Sequence, residues 1–206
     1  MISAEQLAAF GWKNAMLDDL NSTLLKYEII TPERIAHFMA QTGHESALGL
    51  YTQELANGKA YEGRTDLGNV SPGDGPRYKG AGYIQLTGRA NYQRFSDSMG
   101  DVEIMQGVAY VAKNYPWSSA GFWWHMAGMN SLVDSGATVE QITKKVNGGY
   151  NGLDSLSVAD MNRDGLPDIV IGETKDQHRL VIYENVGGGT SWNEHRIDEG
   201  KESHKG

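Results

Sequence analysis

The chain has 206 residues, of which 39% are hydrophobic and 21% charged, a soluble globular composition that excludes a disordered or fibrous protein. Its formal charge of −8 argues against nucleic acid as a partner, because phosphate binding needs clustered Lys and Arg. It has no cysteine, which removes disulfides, thiolate metal sites and a Cys nucleophile from consideration.

The chain opens on Met1-Ile2-Ser3-Ala4-Glu5-Gln6, without the basic region and apolar stretch of a secretory signal. Synthesis in the cytoplasm is the expectation, with action on a cell wall only after release by another factor. No apolar run approaches the ~18–20 residues that span a bilayer, so no membrane insertion is expected. Ser3 with Gln6 three residues on predicts a capping box at the start of a short helix. Thr31-Pro32-Glu33-Arg34 is a sharper start: Thr as N-cap, Pro at the first helical position, an acid in the first turn. Ile35, Phe38, Met39 and Thr42 then recur at helical spacing, and the pattern breaks at Gly43-His44-Glu45. Residues 57–83, rich in Gly, Pro, Asn and Asp, read as one long loop, and a loop of that length inside a domain is usually functional. After Pro116 the aromatic-rich run Ser118 to Leu132 reads as one helix. Thr138-Val139-Glu140-Gln141 predicts another capping box, and the helix it opens should end at Asn147-Gly148-Gly149. Near residues 150–156 the character changes to short β-type runs, Asp168-Ile169-Val170-Ile171-Gly172 and Arg179-Leu180-Val181-Ile182-Tyr183. Residues 1–153 carry 12 basic and 15 acidic side chains (net −3), residues 154–206 carry 6 and 11 (net −5). The more acidic tail points to a second module.

Hydrolysis of a glycosidic bond needs one carboxylic acid to protonate the leaving oxygen and one carboxylate to activate water or attack. Glu45, where a helix gives way to a loop, and Glu54, nine residues on, would face each other if the chain turns at Gly49. Spacing alone does not separate them from solvated surface acids. Glu62 is a rival for the second role, or else pairs with Arg64 to shape the loop. His37 and His44 share one helix, but without a third ligand or an HExxH pattern they do not make a zinc site. Phe122, Trp123 and Trp124 could stack on sugars, although aromatics at helical spacing more often pack in a core. Gly80, Gly82 and Gly88 lack the Lys-Ser ending of a phosphate-binding loop.

Ala36-His37-Phe38-Met39-Ala40-Gln41-Thr42-Gly43-His44-Glu45-Ser46 resembles the catalytic-helix signature of family 19 glycoside hydrolases, the chitinase-type fold shared with many phage endolysins. Tyr61-Glu62-Gly63-Arg64-Thr65-Asp66-Leu67-Gly68-Asn69 followed by Pro72-Gly73-Asp74-Gly75 resembles the endolysin branch. Tyr78 to Tyr92, with Gly82-Tyr83-Ile84-Gln85-Leu86-Thr87-Gly88 at its centre, is similar to the substrate-cleft motif. Val146-Asn147-Gly148-Gly149-Tyr150-Asn151-Gly152-Leu153 is similar to the late Asn-Gly-Gly element. The four motifs stand in the family's order over roughly residues 30–153. The resemblance implies a mainly α, lysozyme-like domain and an inverting reaction with Glu45 as general acid, Glu54 as general base and Thr87 helping to hold the attacking water. It further implies that Gln85, Asn91 and Asn147, with His44, Glu62 and Arg64 around the cleft, contact the glycan. An inverting pair should stand roughly 6.5–9.5 Å apart, with Glu45 the less solvated. Two departures stand out: Ala81 where many members carry Arg, and the absence of the helical segment that usually follows Asn-Gly-Leu.

Asp160-Met161-Asn162-Arg163-Asp164-Gly165-Leu166-Pro167-Asp168 places oxygen side chains at loop positions 1, 3, 5 and 9 with Gly at 6, a calcium-loop alternation. Ile171 stands where an EF-hand needs Glu. The segment instead resembles a single FG-GAP or VCBS repeat, which implies Ca²⁺ held by Asp160, Asn162, Asp164, Asp168 and the Leu166 carbonyl. A lone repeat cannot close a propeller, leaving it to dock on the first domain, stay partly disordered or pair through strand edges. The sequence thus predicts a glycoside hydrolase domain over 1–153 and a small β-rich calcium-loop segment over 154–206. The expected partner is peptidoglycan, with chitin as the alternative glycan and a non-catalytic, calcium-dependent glycan binder as the rival class. No cofactor is expected for catalysis, and a monomer is expected.

Overall fold

The central element is a helix buried on every side. In the computed structural model, which describes residues 1–14, 16–148, 156–172 and 180–198, helix α3 (Pro32–Ser46) buries every residue from Ile35 to Gly43. The buried stretch takes in the polar His37, Gln41 and Thr42 as well as its apolar face, so the helix lies inside the core rather than on its surface. The Thr31 hydroxyl accepts the Arg34 amide at 3.3 Å and Pro32 occupies the first turn, as the sequence predicts. The capping boxes of α1 (Ala4–Ala9) and α9 (Val139–Asn147) also form.

Around α3 stand α2 (Leu17–Lys26), α5 (Arg89–Met99), α6 (Val108–Asn114), α7 (Pro116–Met126), α8 (Met129–Asp134) and α9, with α4 (Asp74–Arg77) as a single turn in the long loop. The run expected as one helix from Ser118 to Leu132 is two, because Gly128 adopts φ 69° and turns the chain between α7 and α8. The N-terminus of α7 is capped by another helix. Asp19 of α2 accepts the amides of Trp117 and Ser118 at 2.7 and 3.2 Å, and the Ser118 hydroxyl as well. An anion there satisfies orphan amides and meets the positive end of the helix dipole. Trp117 stacks on Trp12 at 4.4 Å and meets Tyr83 edge-on at 4.6 Å.

The C-terminal strands β1 (Leu156–Ala159), β2 (Asp168–Gly172), β3 (Leu180–Asn185) and β4 (Trp192–Asp198) form one antiparallel sheet in the order β1-β2-β3-β4. Alternation sends Ile169, Ile171, Val181 and Tyr183 to one buried face, with Ile171 opposite Val181 and Ile169 opposite Tyr183. That face packs on α1 and α3. Phe10 stacks on Tyr183, Ile171 approaches Gly43 on α3, and Gly189 lies against Ile35. One hydrophobic cluster therefore runs from Leu7 and Phe38 through Ile171 to Trp192. The described part of the C-terminal sheet thus docks on the helical part. The junction placed at residue 153 lies outside the described residues. Among the described residues no helix is long and apolar enough to cross a membrane.

Candidate active site

Glu45 occupies the last turn of α3, which runs one residue past it and stops abruptly. Ala47, Leu48 and Gly49 take φ values of 50°, 53° and 79°, so the chain reverses at once. Side chains close the turn: the Ser46 hydroxyl donates to the Thr42 carbonyl at 2.6 Å and accepts the Gly49 amide at 2.9 Å. A Cβ at Gly49 would run into the Trp12 indole, so this reversal needs glycine. Among the described residues the Glu45 carboxylate has no hydrogen-bond or ion-pair partner, and His44 beside it is half-buried.

After the reversal the chain runs antiparallel to the Gly-rich motif. Gly82 donates its amide to the Thr52 carbonyl at 2.8 Å, Gln53 bridges Ala81, and Glu54 donates to the Gly80 carbonyl at 2.9 Å. Ala81 in turn exchanges two backbone hydrogen bonds with Leu86. Ala81 is thus a fully buried rung of a small ladder, at the position where the resembling family often has Arg. The ladder aims Glu54. Its Oε1 accepts from the Tyr61 hydroxyl at 3.2 Å and its Oε2 from the Gly80 amide at 3.1 Å. Lys79 braces the same stretch by donating to the carbonyls of Glu54 and Ala56 at 2.8 and 2.7 Å. Burial, followed by the negative charge of Glu54, raises the Tyr61 phenol above its ordinary value. Glu45 and Glu54 are both half-buried, so burial alone does not single out the acid.

The floor beyond the ladder is the Gln85-Leu86-Thr87 segment. Gln85 holds φ 58° and donates its side-chain amide to the Gly82 carbonyl at 2.9 Å, while its Oε1 is buried without a partner. A Cβ on Gly80 would lie 2.5 Å from that oxygen, so glycine is required for Gln85 to lie flat. The Thr87 hydroxyl donates to the Gln85 carbonyl at 2.8 Å, and Asn91 donates to the Thr87 carbonyl at 2.7 Å. A non-glycine residue at positive φ costs energy and tends to occur where function requires it.

Glu62 does not pair with Arg64. Its two oxygens accept the amides of Gly73 and Gly75 at 2.6 and 2.8 Å, stapling Tyr61-Glu62-Gly63-Arg64 to Pro72-Gly73-Asp74-Gly75. Arg64 instead turns to Asp66, with Nε to Oδ1 at 2.8 Å. Both acids stand two residues from Arg64, but Asp66 is open to solvent, whereas Glu62 is taken up by two amides that have no other acceptor. Nothing in the spacing of these motifs announces the contacts they make. Asp74 accepts the Val70 and Ser71 amides at 3.0 and 2.8 Å and pairs with Arg89 at 3.3 Å. Burial pushes the Asp74 carboxyl up, but the Ser71 amide and the Arg89 guanidinium outweigh it and hold it below its usual range. Asn69 joins the Tyr61 carbonyl to the Arg89 amide. The side chain of Asn147, last in α9, lies outside the described residues, as do Gly149 to Leu153 of the same motif.

Of the aromatic trio on α7, Phe122 and Trp124 are core, whereas Trp123 is half-buried and faces a groove. In the C-terminal loop Asp160 accepts the amides of Asp164 and Gly165 at 3.0 and 2.9 Å, and Asp164 accepts that of Leu166 at 2.8 Å. Asp160, Asn162 and Asp164 are exposed. Asp168 is fully buried, its oxygens accepting the amides of Asn185 and Met161 at 2.8 and 2.7 Å. Among the described residues no three carboxylate, imidazole or thiol groups stand together as ion ligands.

No family model matches the chain. It is 31% identical over 156 residues to a Haemophilus influenzae protein described as a glycosyl hydrolase family 19 domain-containing protein, a match covering 58% of this chain and 72% of that one. Its fold is similar to that of chitinase C from Streptomyces griseus, with a TM-score of 0.56 and 20% identity over 71% of this chain and 66% of that one. It is similar also to a bacterial family 19 chitinase, with a TM-score of 0.59 and 20% identity over 73% and 83%.

Proposed function

The chain belongs to glycosyl hydrolase family 19 and is a glycoside hydrolase, and from that premise we propose that it cleaves β-1,4 bonds of bacterial peptidoglycan in the manner of an endolysin. Glu45 protonates the leaving oxygen. Glu54 takes a proton from a water that attacks the opposite face of the sugar, inverting the anomeric carbon. Thr87 accepts a hydrogen bond from that water, and Gln85, Asn91 and Asn147 bind sugar amides and hydroxyls. The observation that carries this reading is the Gly80 amide on the Glu54 carboxylate. It ties the second acid to the ladder that also presents the Gln85–Thr87 floor. The Glu62 staple favours the bacterial wall over chitin, because it unites the two motifs that resemble the endolysin branch.

The test is clearance of permeabilised bacteria by wild type, Glu45→Gln and Glu54→Gln. Loss of at least about a hundredfold in each variant is expected for removal of a general acid or base. Equal clearing by all three would overturn the assignment. Chromatography of the released reducing ends then separates muramidase from chitinase action, and product stereochemistry by NMR tests inversion.

The C-terminal loop has a separate proposed role as a calcium site. Asp160, Asn162 and Asp164 fit as exposed oxygen donors on one turn, with the Leu166 carbonyl beside them. Asp168 fits less well as an open ligand, since both its oxygens already accept amides. No catalytic step runs through this ion.

A further inference from the structure

Helices α5 and α7 leave a groove of about 240 Å³ between them. Asn91 and Arg94 line it from α5, and Trp123 and Met126 from α7. Each pair is three residues apart and so projects from one face of its helix. Leu86 and Phe122, both buried, form the floor. The groove is continuous with the proposed cleft at two points. Leu86 is the middle residue of the Gln85-Leu86-Thr87 floor, and Asn91 reaches from the groove to the Thr87 carbonyl at 2.7 Å.

Size and charge together restrict the occupant. Ligand pockets for whole small molecules usually run to roughly 300–1,000 Å³, so this one suits a single substituent better than a run of sugar rings. Arg34, Arg64, Arg89 and Arg196 are each paired with a carboxylate. Arg77, Arg94 and Arg163 have no such partner among the described residues, and of these Arg94 is the one that lines the groove, exposed at its rim in a chain of net charge −8. A guanidinium fork beside an indole face suits a carboxylate carried on an apolar stem.

We propose that the groove between α5 and α7 is a subsite for the carboxylate-bearing arm of a wall sugar, with Arg94 binding the carboxylate and Trp123 packing on the arm's apolar part. Resting on the peptidoglycan reading, it gives that reading a source of selectivity. The neutral N-acetylglucosamine polymer has no such arm, whereas the muramic acid of peptidoglycan carries a lactyl-linked peptide whose free carboxylates lie on its amino acids, the lactyl carboxyl being tied up in the amide.

The experiment compares kcat/KM on soluble peptide-bearing wall glycan with kcat/KM on a neutral N-acetylglucosamine oligomer for wild type, Arg94→Ala, Arg94→Lys, Trp123→Ala and a charge control, Lys113→Ala. The ratio should fall about tenfold in Arg94→Ala, through KM, as expected for loss of one charge-assisted hydrogen bond. Arg94→Lys should fall between, and Lys113→Ala should keep the wild-type ratio. An unchanged ratio in both Arg94 variants, with wild type active on either glycan, overturns the subsite and leaves the hydrolase standing. A wild type that cleaves only the neutral oligomer overturns the peptidoglycan reading and the subsite with it. Equal losses on both glycans would make Arg94 a general structural residue and also count against the subsite.

Discussion

Phe10 and Tyr183 lie 4.2 Å apart, centroid to centroid, with planes 26° from parallel, although one ends the N-terminal helix and the other stands on β3. Phe10 also meets Trp192 of β4 edge-on at 5.6 Å. All three are essentially buried, so the sheet and the helices share one core. Tyr183→Ala should therefore destabilise the whole molecule by about 3–5 kcal/mol, the usual cost of emptying a buried aromatic site. Urea unfolding followed by far-UV dichroism and by tryptophan fluorescence should show one coincident, lowered transition. A helical transition left at its wild-type midpoint would mean that the sheet is energetically independent.

Tyr61 is a positioning residue for Glu54. Its hydroxyl supplies one of the two hydrogen bonds that orient the carboxylate, the other coming from the Gly80 backbone. Tyr61→Phe removes the first and leaves the ladder intact. A fall in kcat of about tenfold is expected, equivalent to one modest hydrogen bond, with KM and thermal midpoint near wild type. A changed KM at constant kcat would assign Tyr61 to substrate binding instead.

The local signals were the legible ones. Ser3 with Gln6, Thr31 with Pro32 and Thr138 with Gln141 cap helices where the sequence places them, because a cap is settled within four residues. Contacts between distant segments were not legible. Glu62 sits two residues from Arg64, yet finds its partners at Gly73 and Gly75, where the folded loop offers two free amides. The hydroxyl on Glu54 belongs to Tyr61, a relation that exists only once residues 52–54 pair with 80–82. Alternation in β2 and β3 announces a buried face but not its cover, which turned out to be α1 and α3. The left-handed turn at Gly128 broke a helix that aromatic content suggested would continue.

His37 is a buried imidazole on α3 whose Nδ1 has no partner. Burial lowers its pKa to about 4, with Glu33 opposing the shift only in part. In the unfolded chain the group should titrate near 6.5. Above that value both states are neutral and its stability contribution is complete. As pH falls from about 6.5 to about 4, the unfolded chain takes up a proton that the folded protein refuses, and stability drops by up to about 3 kcal/mol. Below about 4 this group adds no further slope. His37→Leu should remove that part of the pH dependence, so the stability gap between pH 7 and pH 4.5 narrows relative to wild type. An identical gap in both proteins would show that acid sensitivity arises elsewhere.

The turn from Asp160 to Asp168 is held in shape before any ion arrives. Asp160 and Asp164 accept three amides of the turn itself, and buried Asp168 clamps the loop's start to the end of β3. A preformed loop spends little ordering entropy on ligation, so calcium should bind the folded protein and shift its unfolding. At a hundredfold excess over Kd the gain is about 2.7 kcal/mol, or a rise in Tm of roughly 5–10 °C for a chain of this size. Asp160→Asn and Asp164→Asn should each weaken the calorimetric signal, while chelator should return wild type to the lower midpoint. Magnesium should do less, because it holds its water shell more tightly and demands near-ideal octahedral geometry. Absence of both heat and thermal shift with millimolar calcium would reduce the loop to an amide-closed acidic turn, with Asp168 retained for the clamp alone.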